Sequence, residues 1–337
     1  MATNVGYAST MTELEALILH ILPDIGPEIA SGMLNSNLLS AALKEKGAIE
    51  EVEGGLEAWY GIMKNTSGNF KWQGKNEDMT ADVQDPAARL RWDWKIFTGA
   101  LVSNELDTAM NRGRAAIKDY VKTLTQHAKD TIGNQFNSAL WNTAPGDADP
   151  ISVPSLVSAT PTTGTIGGLA RSGNVYLQNG VYTTAIADIG SEQGISAMEQ
   201  LRITQAVGQS TPDLIILDNI RFAGLVGYLA TMMRYKSNEA MTNLRIKTIE
   251  VGDALIGFEN LTVMGGENTI TSGYMYGINT KMGLKIKHLK GIQGDGWSKE
   301  WERIGQKLNK ALFYNWFGNL VSPCPRANFV ATSVATA

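Results

Sequence analysis

The residues best placed to do chemistry in this chain lie in two glycine-containing stretches, one acidic turn and one thiol. "GTIGGLARSGN", Gly164 to Asn174, sets three glycines within five residues and follows them with Arg171. A backbone of that kind can approach a phosphate closely. The spacing of Gly164, Gly167, Gly168 and Gly173 is not that of a dinucleotide loop, however, and Pro154 and Pro161 interrupt the strand that such a loop must follow. Tight turns and close backbone approach explain these glycines better. The second stretch, "GNFKWQGKN", Gly68 to Asn76, separates Gly68 from Gly74-Lys75 by five residues, where a phosphate loop has four. It also puts Asn76 where the magnesium-binding hydroxyl belongs. No helical pattern follows Lys75, so this segment reads as the tip of a hairpin.

Asp147 and Asp149 in "PGDADP" offer two carboxylates, but aspartates are favoured in turns and no further oxygen ligands stand at fixed spacing. His20, His127 and His288 are scattered, and Cys324 is the sole cysteine, set between Pro323 and Pro325. No His-Glu-x-x-His or Gly-x-Ser-x-Gly is present. These residues assign no catalytic group, no metal site and no cofactor. The expectation is a protein without turnover.

Composition narrows the class further. The 337 residues are 43% hydrophobic, enough for real cores. Against 33 acidic residues stand 29 basic ones, a formal charge of -4, whereas a free duplex-DNA binder needs a basic patch or domain. A lone cysteine points to a reducing cytoplasm. The early apolar run Leu14–Leu22 is too short to span a bilayer and ends at Pro23, so no export or membrane segment is expected.

The elements that must carry these residues follow from periodicity. Residues 11–43 read as a broken amphipathic helix, with Leu14, Leu17, Ile18 and Ile21 on one face, interrupted by Pro23 and Pro27. The period then changes to two. In "ARLRWDWKIFTGALV", Leu90, Trp92, Trp94 and Ile96 alternate with Arg89, Arg91, Asp93 and Lys95, and Leu56, Ala58, Tyr60 and Ile62 begin a partner strand. A lone hairpin cannot bury its own aromatic face. Either the rest of the chain covers the tryptophans or another molecule does.

Residues 114–141 carry Ile117, Tyr120, Val121, Leu124, Ala128, Ile132, Phe136 and Leu140 at three- and four-residue steps, predicting a rod of roughly 40 Å. "NTAPGDADP" ends it. A compact α/β part follows: "GISAMEQLRITQAV" and "IRFAGLVGYLATMMRY" read as helices, and "PDLIILDN", "LRIKTIEV", "LTVMG", "YMYGI" and "GLKIKHL" as strands. The close, "ALFYNWFGNLVSPCPRANFVATSV", reads as strands around a Pro-Cys-Pro turn. The basic residues from Lys281 to Lys310 read as a solvated surface, or as a docking face for Glu50, Glu51, Glu53 and Glu57 of another copy.

This order of parts, carried by "GGLEAWYGIM", "ARLRWDWKIFTGALV", "IGGLARSGN", "PDLIILDN" and "WFGNLVSPCPRANF", resembles the major capsid proteins of tailed bacteriophages over nearly the whole chain. The resemblance implies an α+β Hong Kong 97-like capsid fold. Its parts would be an N-terminal arm (1–49), an extended β-hairpin loop (50–110), a peripheral domain with a long spine helix (111–163), an axial α/β domain (164–299) and a return to the peripheral domain (300–337). The extended loop of that family lies across a neighbouring subunit, which would cover the tryptophan face. Arg89, Arg91, Trp92, Trp94 and Lys95 are therefore the candidate inter-subunit contacts.

The resemblance further implies hexamers and pentamers in an icosahedral virion shell that encloses double-stranded DNA without reading its sequence. The shell would be assembled in a host bacterial cytoplasm with a separate scaffolding protein, a portal and a decoration protein, and with no membrane. An encapsulin-like nanocompartment shell is the alternative on the same fold. A nucleotide-binding α/β enzyme ranks below both.

Overall fold

The computed structural model describes residues 38–64, 69–78, 87–104, 114–183, 186, 188–232, 248–259, 270–290, 302–304 and 309–335. The expected arm before Leu38 and the strand expected at "LTVMG" lie outside the described residues. The described chain opens with helix α1 (Leu38–Glu45), whose residues Leu38 to Leu43 are all buried. Four strands follow: β1 (Ile49–Val52), β2 (Glu57–Met63), β3 (Ala87–Asp93) and β4 (Lys95–Asn104).

The spine helix α2 runs Arg114–Leu140, 27 residues, matching the span that periodicity predicts. At 1.5 Å per residue it is about 40 Å long. Its buried residues Ile132, Phe136 and Leu140 recur every four positions and form the stripe that turns inward. A one-turn helix α3 (Val153–Leu156) is capped by Ser152, whose side-chain oxygen accepts the Ser155 N–H.

The glycine stretch folds into β5 (Thr165–Ile166) and β6 (Leu169–Ala170), paired antiparallel. Gly167 and Gly168 alone join them, at φ of 54° and 78°. Two positive φ values in a two-residue loop are the requirement of the hairpin turn whose twist matches its strands, and glycine meets it without a steric cost. These glycines make a turn, and no helix follows them to receive a phosphate.

The remaining elements are β7 (Gly180–Tyr182), α4 (Glu192–Thr204), β8 (Leu214–Leu217), α5 (Asn219–Met232), β9 (Thr248–Val251), β10 (Ala254–Phe258), β11 (Met275–Ile278), β12 (Lys285–Leu289), β13 (Glu302–Arg303), β14 (Asn309–Val321) and β15 (Phe329–Ala331). They complete two main sheets. One contains β1, β12, β14 and β13 in that order, with β4 also paired to β14. The other runs β7-β15-β11-β8-β10-β9. Strand β8, "LIIL", is buried at every residue, as a central strand covered on both faces requires.

Two hydrophobic cores hold these layers together, and the six-stranded sheet contributes to both, with Leu214, Ile216 and Leu255 in the larger one. The larger joins α1, the hairpin's Leu90 and Trp92, and the spine helix to the five-stranded sheet through Leu312, Tyr314 and Leu320. The second packs Met198 of α4 and Leu225 of α5 on Ile215, Ile256 and Phe329 of the six-stranded sheet. The sheets do not follow the expected boundaries. β12 falls within 164–299 yet pairs in the five-stranded sheet, and β15 falls within 300–337 yet pairs in the six-stranded one.

Candidate functional site

The hairpin is built from β2 and β3 in the register that alternation predicts: Ala58 opposite Trp92, Tyr60 opposite Leu90 and Ile62 opposite Ala88. Side chains alternate across a strand, so these residues share one face, and Trp59, Gly61, Met63, Arg89 and Arg91 share the other. The inner face is covered by the same chain. Leu90 is fully buried and Trp92 is 3% exposed, its ring set edge-on to Tyr60 at 6.2 Å between centroids. Gly167 closes over Leu90, and its carbonyl accepts the Arg91 N–H at 3.0 Å.

This corrects the expected site at one residue. Trp92 belongs to the subunit's own core, because the glycine hairpin supplies the second layer that a lone two-stranded hairpin lacks. Its indole N–H is buried there without a hydrogen-bond partner. The alternation also does not continue through Ile96. The strand is interrupted at Trp94, which is half-buried and donates its indole N–H to the Gly55 carbonyl at 2.8 Å. Beyond that break the phase reverses. Ile96 is exposed, while Phe97 and Leu101 turn inward toward the spine helix.

The outer face stays open. Trp59 is 51% exposed and lies under the Arg89 guanidinium at 4.3 Å, and Arg91 faces Glu57 at 3.8 Å. Met63 is exposed as well. At the tip, Gly74 and Glu77 close a turn in which the Glu77 N–H reaches the Gly74 carbonyl at 3.2 Å and the Glu77 carboxylate accepts the Gly74 N–H. Phe70, 88% exposed, and the fully exposed Trp72 stand beside that turn. Sequence reasoning missed this pair, because it took the segment as a polar tip. The signal was there in the i, i+2 spacing of two aromatic residues.

The hairpin root is fixed by a charged cluster. Glu50 on β1 accepts hydrogen bonds from Tyr60 and from the Lys285 ammonium, and Lys287 lies 3.7 Å from it. Lys287 also sits 3.7 Å over the Tyr60 ring and donates to the Trp59 carbonyl at 3.1 Å. Burial alone would raise the Glu50 carboxyl, but the bonds from Lys285 and Tyr60 outweigh it and hold it below its ordinary value. Burial also pushes the Tyr60 hydroxyl up, with Glu50 adding to the effect, and draws the Lys287 ammonium down. Glu50 is thus paired within its own chain. Docking of its carboxylate to lysines of another copy is not needed to satisfy it.

Several candidates from separate parts of the sequence meet around one recess of about 310 Å³, bounded by Arg91, Trp92, Lys95, Asp147, Asp149 and Gly167. The Lys95 ammonium donates to the Asp147 carbonyl. Asp149 accepts from the Gly146 N–H at 2.9 Å and from the Asn142 amide at 3.3 Å. Those are turn-closing bonds, and two cations, Arg91 and Lys95, stand among three carboxylates, Asp93, Asp147 and Asp149, around the recess. Among the described residues no group of three His, Cys, Asp or Glu side chains could hold a metal. Burial raises the Cys324 thiol, which keeps it protonated and a poor nucleophile. Among the described residues no helix is long and apolar enough to cross a membrane.

No family model and no curated protein matches the sequence. Solved structures do match. The capsid asymmetric unit of cyanophage A-1(L) superposes with a TM-score of 0.59 at 14% identity, over 85% of this chain and 90% of that one. The capsid of a native GTA particle gives 0.56 at 9% identity, over 87% and 90%. A holo-SrpI encapsulin complex from Synechococcus elongatus gives 0.53 at 11%, over 85% and 84%. At these identities the likeness is one of architecture, and it covers most of each chain compared: this chain has the Hong Kong 97-like capsid fold.

Proposed function

We propose that this chain is the major capsid protein of a tailed bacteriophage, and that its copies form the hexamers and pentamers of an icosahedral head enclosing double-stranded DNA. The observation that carries this reading is the hairpin. Its inner face is satisfied within the subunit, while Trp59, Met63, Phe70 and Trp72 remain exposed along its outer face and tip. Apolar side chains grouped in this way on a projecting element mark an association surface. The likeness to capsid structures over 85–87% of this chain supports the same conclusion.

In this reading the five-stranded sheet, α1 and the spine helix form the peripheral domain, and the six-stranded sheet with α4 and α5 forms the axial domain. The contact residues become Arg89 and Arg91 on the outer face, joined by Trp59, Phe70 and Trp72, with Trp94 and Lys95 at the margin. The protein turns nothing over and needs no cofactor. A scaffolding protein, a portal and a decoration protein would be separate chains. The net charge of -4 suits a container that must admit and release DNA without gripping it.

The likeness to an encapsulin gives the second reading, a bacterial compartment around a protein cargo. Electron microscopy of the purified full-length protein, expressed alone and with the neighbouring genes, tests both. Closed shells are expected. DNA-filled particles together with a portal gene nearby favour the phage head, and an enclosed enzyme favours the compartment. A uniform monomer across salt and scaffolding conditions would overturn both.

A further inference from the structure

The end of β10 carries a carboxyl group for which shell building gives no role. Glu259 is 7% exposed, and it touches three elements that are distant in sequence. Its Oε1 accepts the Leu39 N–H at 2.9 Å, in the first turn of α1, where the Leu38 N–H also bonds to it. Its Oε2 accepts from the Asn137 amide of the spine helix at 3.3 Å, and its own N–H reaches the Leu217 carbonyl of β8 at 3.4 Å.

No cation balances this group among the described residues. Lys44 and Glu45 lie exposed at the far end of α1, and His127 and Asp130 lie exposed on the spine helix two or more turns before Asn137. β8 and β10 carry no ionisable residue within their strands. Asp218, which follows β8, is held by Arg221 at 2.6 Å. An ionised carboxylate in such a place is costly, and the helix N–H groups offset only part of the cost.

Asn137 can serve either form of the acid. It donates Nδ2 to the carboxylate, and after half a turn of the amide it could accept the proton of a neutral carboxyl group through Oδ1. That oxygen is buried without a partner in the present arrangement.

We propose that Glu259 is a buried proton-binding site whose occupancy sets how tightly α1 is held to the spine helix and β10. The site carries a proton when α1 is docked and releases it when the contact opens. Burial, the largest influence, lifts the carboxyl from its ordinary 4.5 to about 7, against the opposing bonds from Leu39, Asn137 and Leu38. The sign follows from linkage. The docked state binds a proton that the opened state has given up, so docking is firmest below the ordinary carboxylate range, weakens as pH rises toward 7 and then levels off. Within that window the docking constant falls by about five- to sevenfold per pH unit.

Hydrogen exchange of the α1 amides in the full-length protein, corrected for the intrinsic pH dependence of exchange, reads this directly. Between pH 5 and 7 the wild-type opening constant should rise by about 40-fold, while Glu259→Gln, a neutral isostere, should give a flat profile. Parallel profiles for the two proteins, or a wild-type opening that ignores pH, would overturn the proposal. Should Glu259→Gln fail to fold, the carboxyl itself is titrated in the docked wild-type protein, by the nuclear magnetic resonance shift of its side-chain carboxyl carbon. Its midpoint should lie well above the ordinary carboxylate range. A midpoint within that range would overturn the proposal equally.

Discussion

Gly167 lies flat against Leu90: a β-carbon built on Gly167 would come 2.7 Å from the Leu90 β-carbon, and its carbonyl binds the next residue's N–H, that of Arg91, at 3.0 Å. Two segments about 75 residues apart, each at a bend or strand of its own, thereby become one layered unit. Gly164, at φ 77°, has open space where its β-carbon would go. Alanine at either position enters a left-handed backbone at a cost of about 1–2 kcal/mol. Only Gly167→Ala must also displace Leu90, adding about 1–3 kcal/mol of overpacking. Thermal melting of the unassembled subunit should rank Gly167→Ala well below Gly164→Ala, and equal losses would remove the clamp.

The two faces of the hairpin should respond to truncation in opposite ways. Trp92→Ala opens a cavity in the subunit core and should cost about 3–5 kcal/mol in subunit stability. Trp72→Ala, at a fully exposed position, should leave melting within about 0.5 kcal/mol of wild type. Its effect should fall on shell yield, measured by sedimentation or microscopy. Shells formed in full yield by a Trp59→Ala, Trp72→Ala double variant would show that the outer face is not an assembly surface.

Acid should loosen the hairpin root. Because Glu50 is held below its ordinary carboxylate value, its contribution is present above the unfolded carboxylate value and lost as pH falls through the lowered folded one. The group is partly exposed, so the contribution is about 1 kcal/mol or less. Glu50→Gln should melt slightly lower than wild type at neutral pH and converge with it in acid. A constant gap between the two melting curves from neutral to acid pH would contradict the pairing with Lys285 and Tyr60.

The spine helix should tolerate no break. A proline at position 124, inside Arg114–Leu140, removes a backbone hydrogen bond and clashes with the preceding turn, at about 3 kcal/mol or more. Leu124→Pro protein that melts and assembles like wild type would deny the helix a structural role.

Local periodicity was legible in the sequence, and partners were not. A period of two gave the pairing of Ala58 with Trp92, and a stripe at three- and four-residue steps gave both ends of the spine helix to within one residue. The layer over Trp92 could not be read, because the Gly167–Gly168 turn announces itself while its landing place on Leu90 does not. The reversal of phase at Trp94 was hidden for a similar reason. A single residue leaving strand geometry changes no letter of the apolar pattern, yet it moves Ile96 to the open side. Glu259 carried no signal, since its partner Leu39 lies 220 residues away. Arg171 read as a basic residue beside a glycine loop. It is buried, with its guanidinium donating to the carbonyls of Ser155 at 2.7 Å and Leu156 at 2.9 Å, bonds set by tertiary packing alone.

Since Trp94 alone separates β3 from β4, the hairpin is not hung from its domain by a flexible connection. It is the prolongation of a strand whose ten residues from Lys95 to Asn104 pair in unbroken succession with β14. Force applied at the tip is therefore delivered lengthwise along one backbone and resisted by all ten pairs at once, in shear, instead of peeling them apart one after another. The hairpin acts as a lever rooted along an edge strand of the five-stranded sheet, and tension anywhere along it is felt beneath the spine helix.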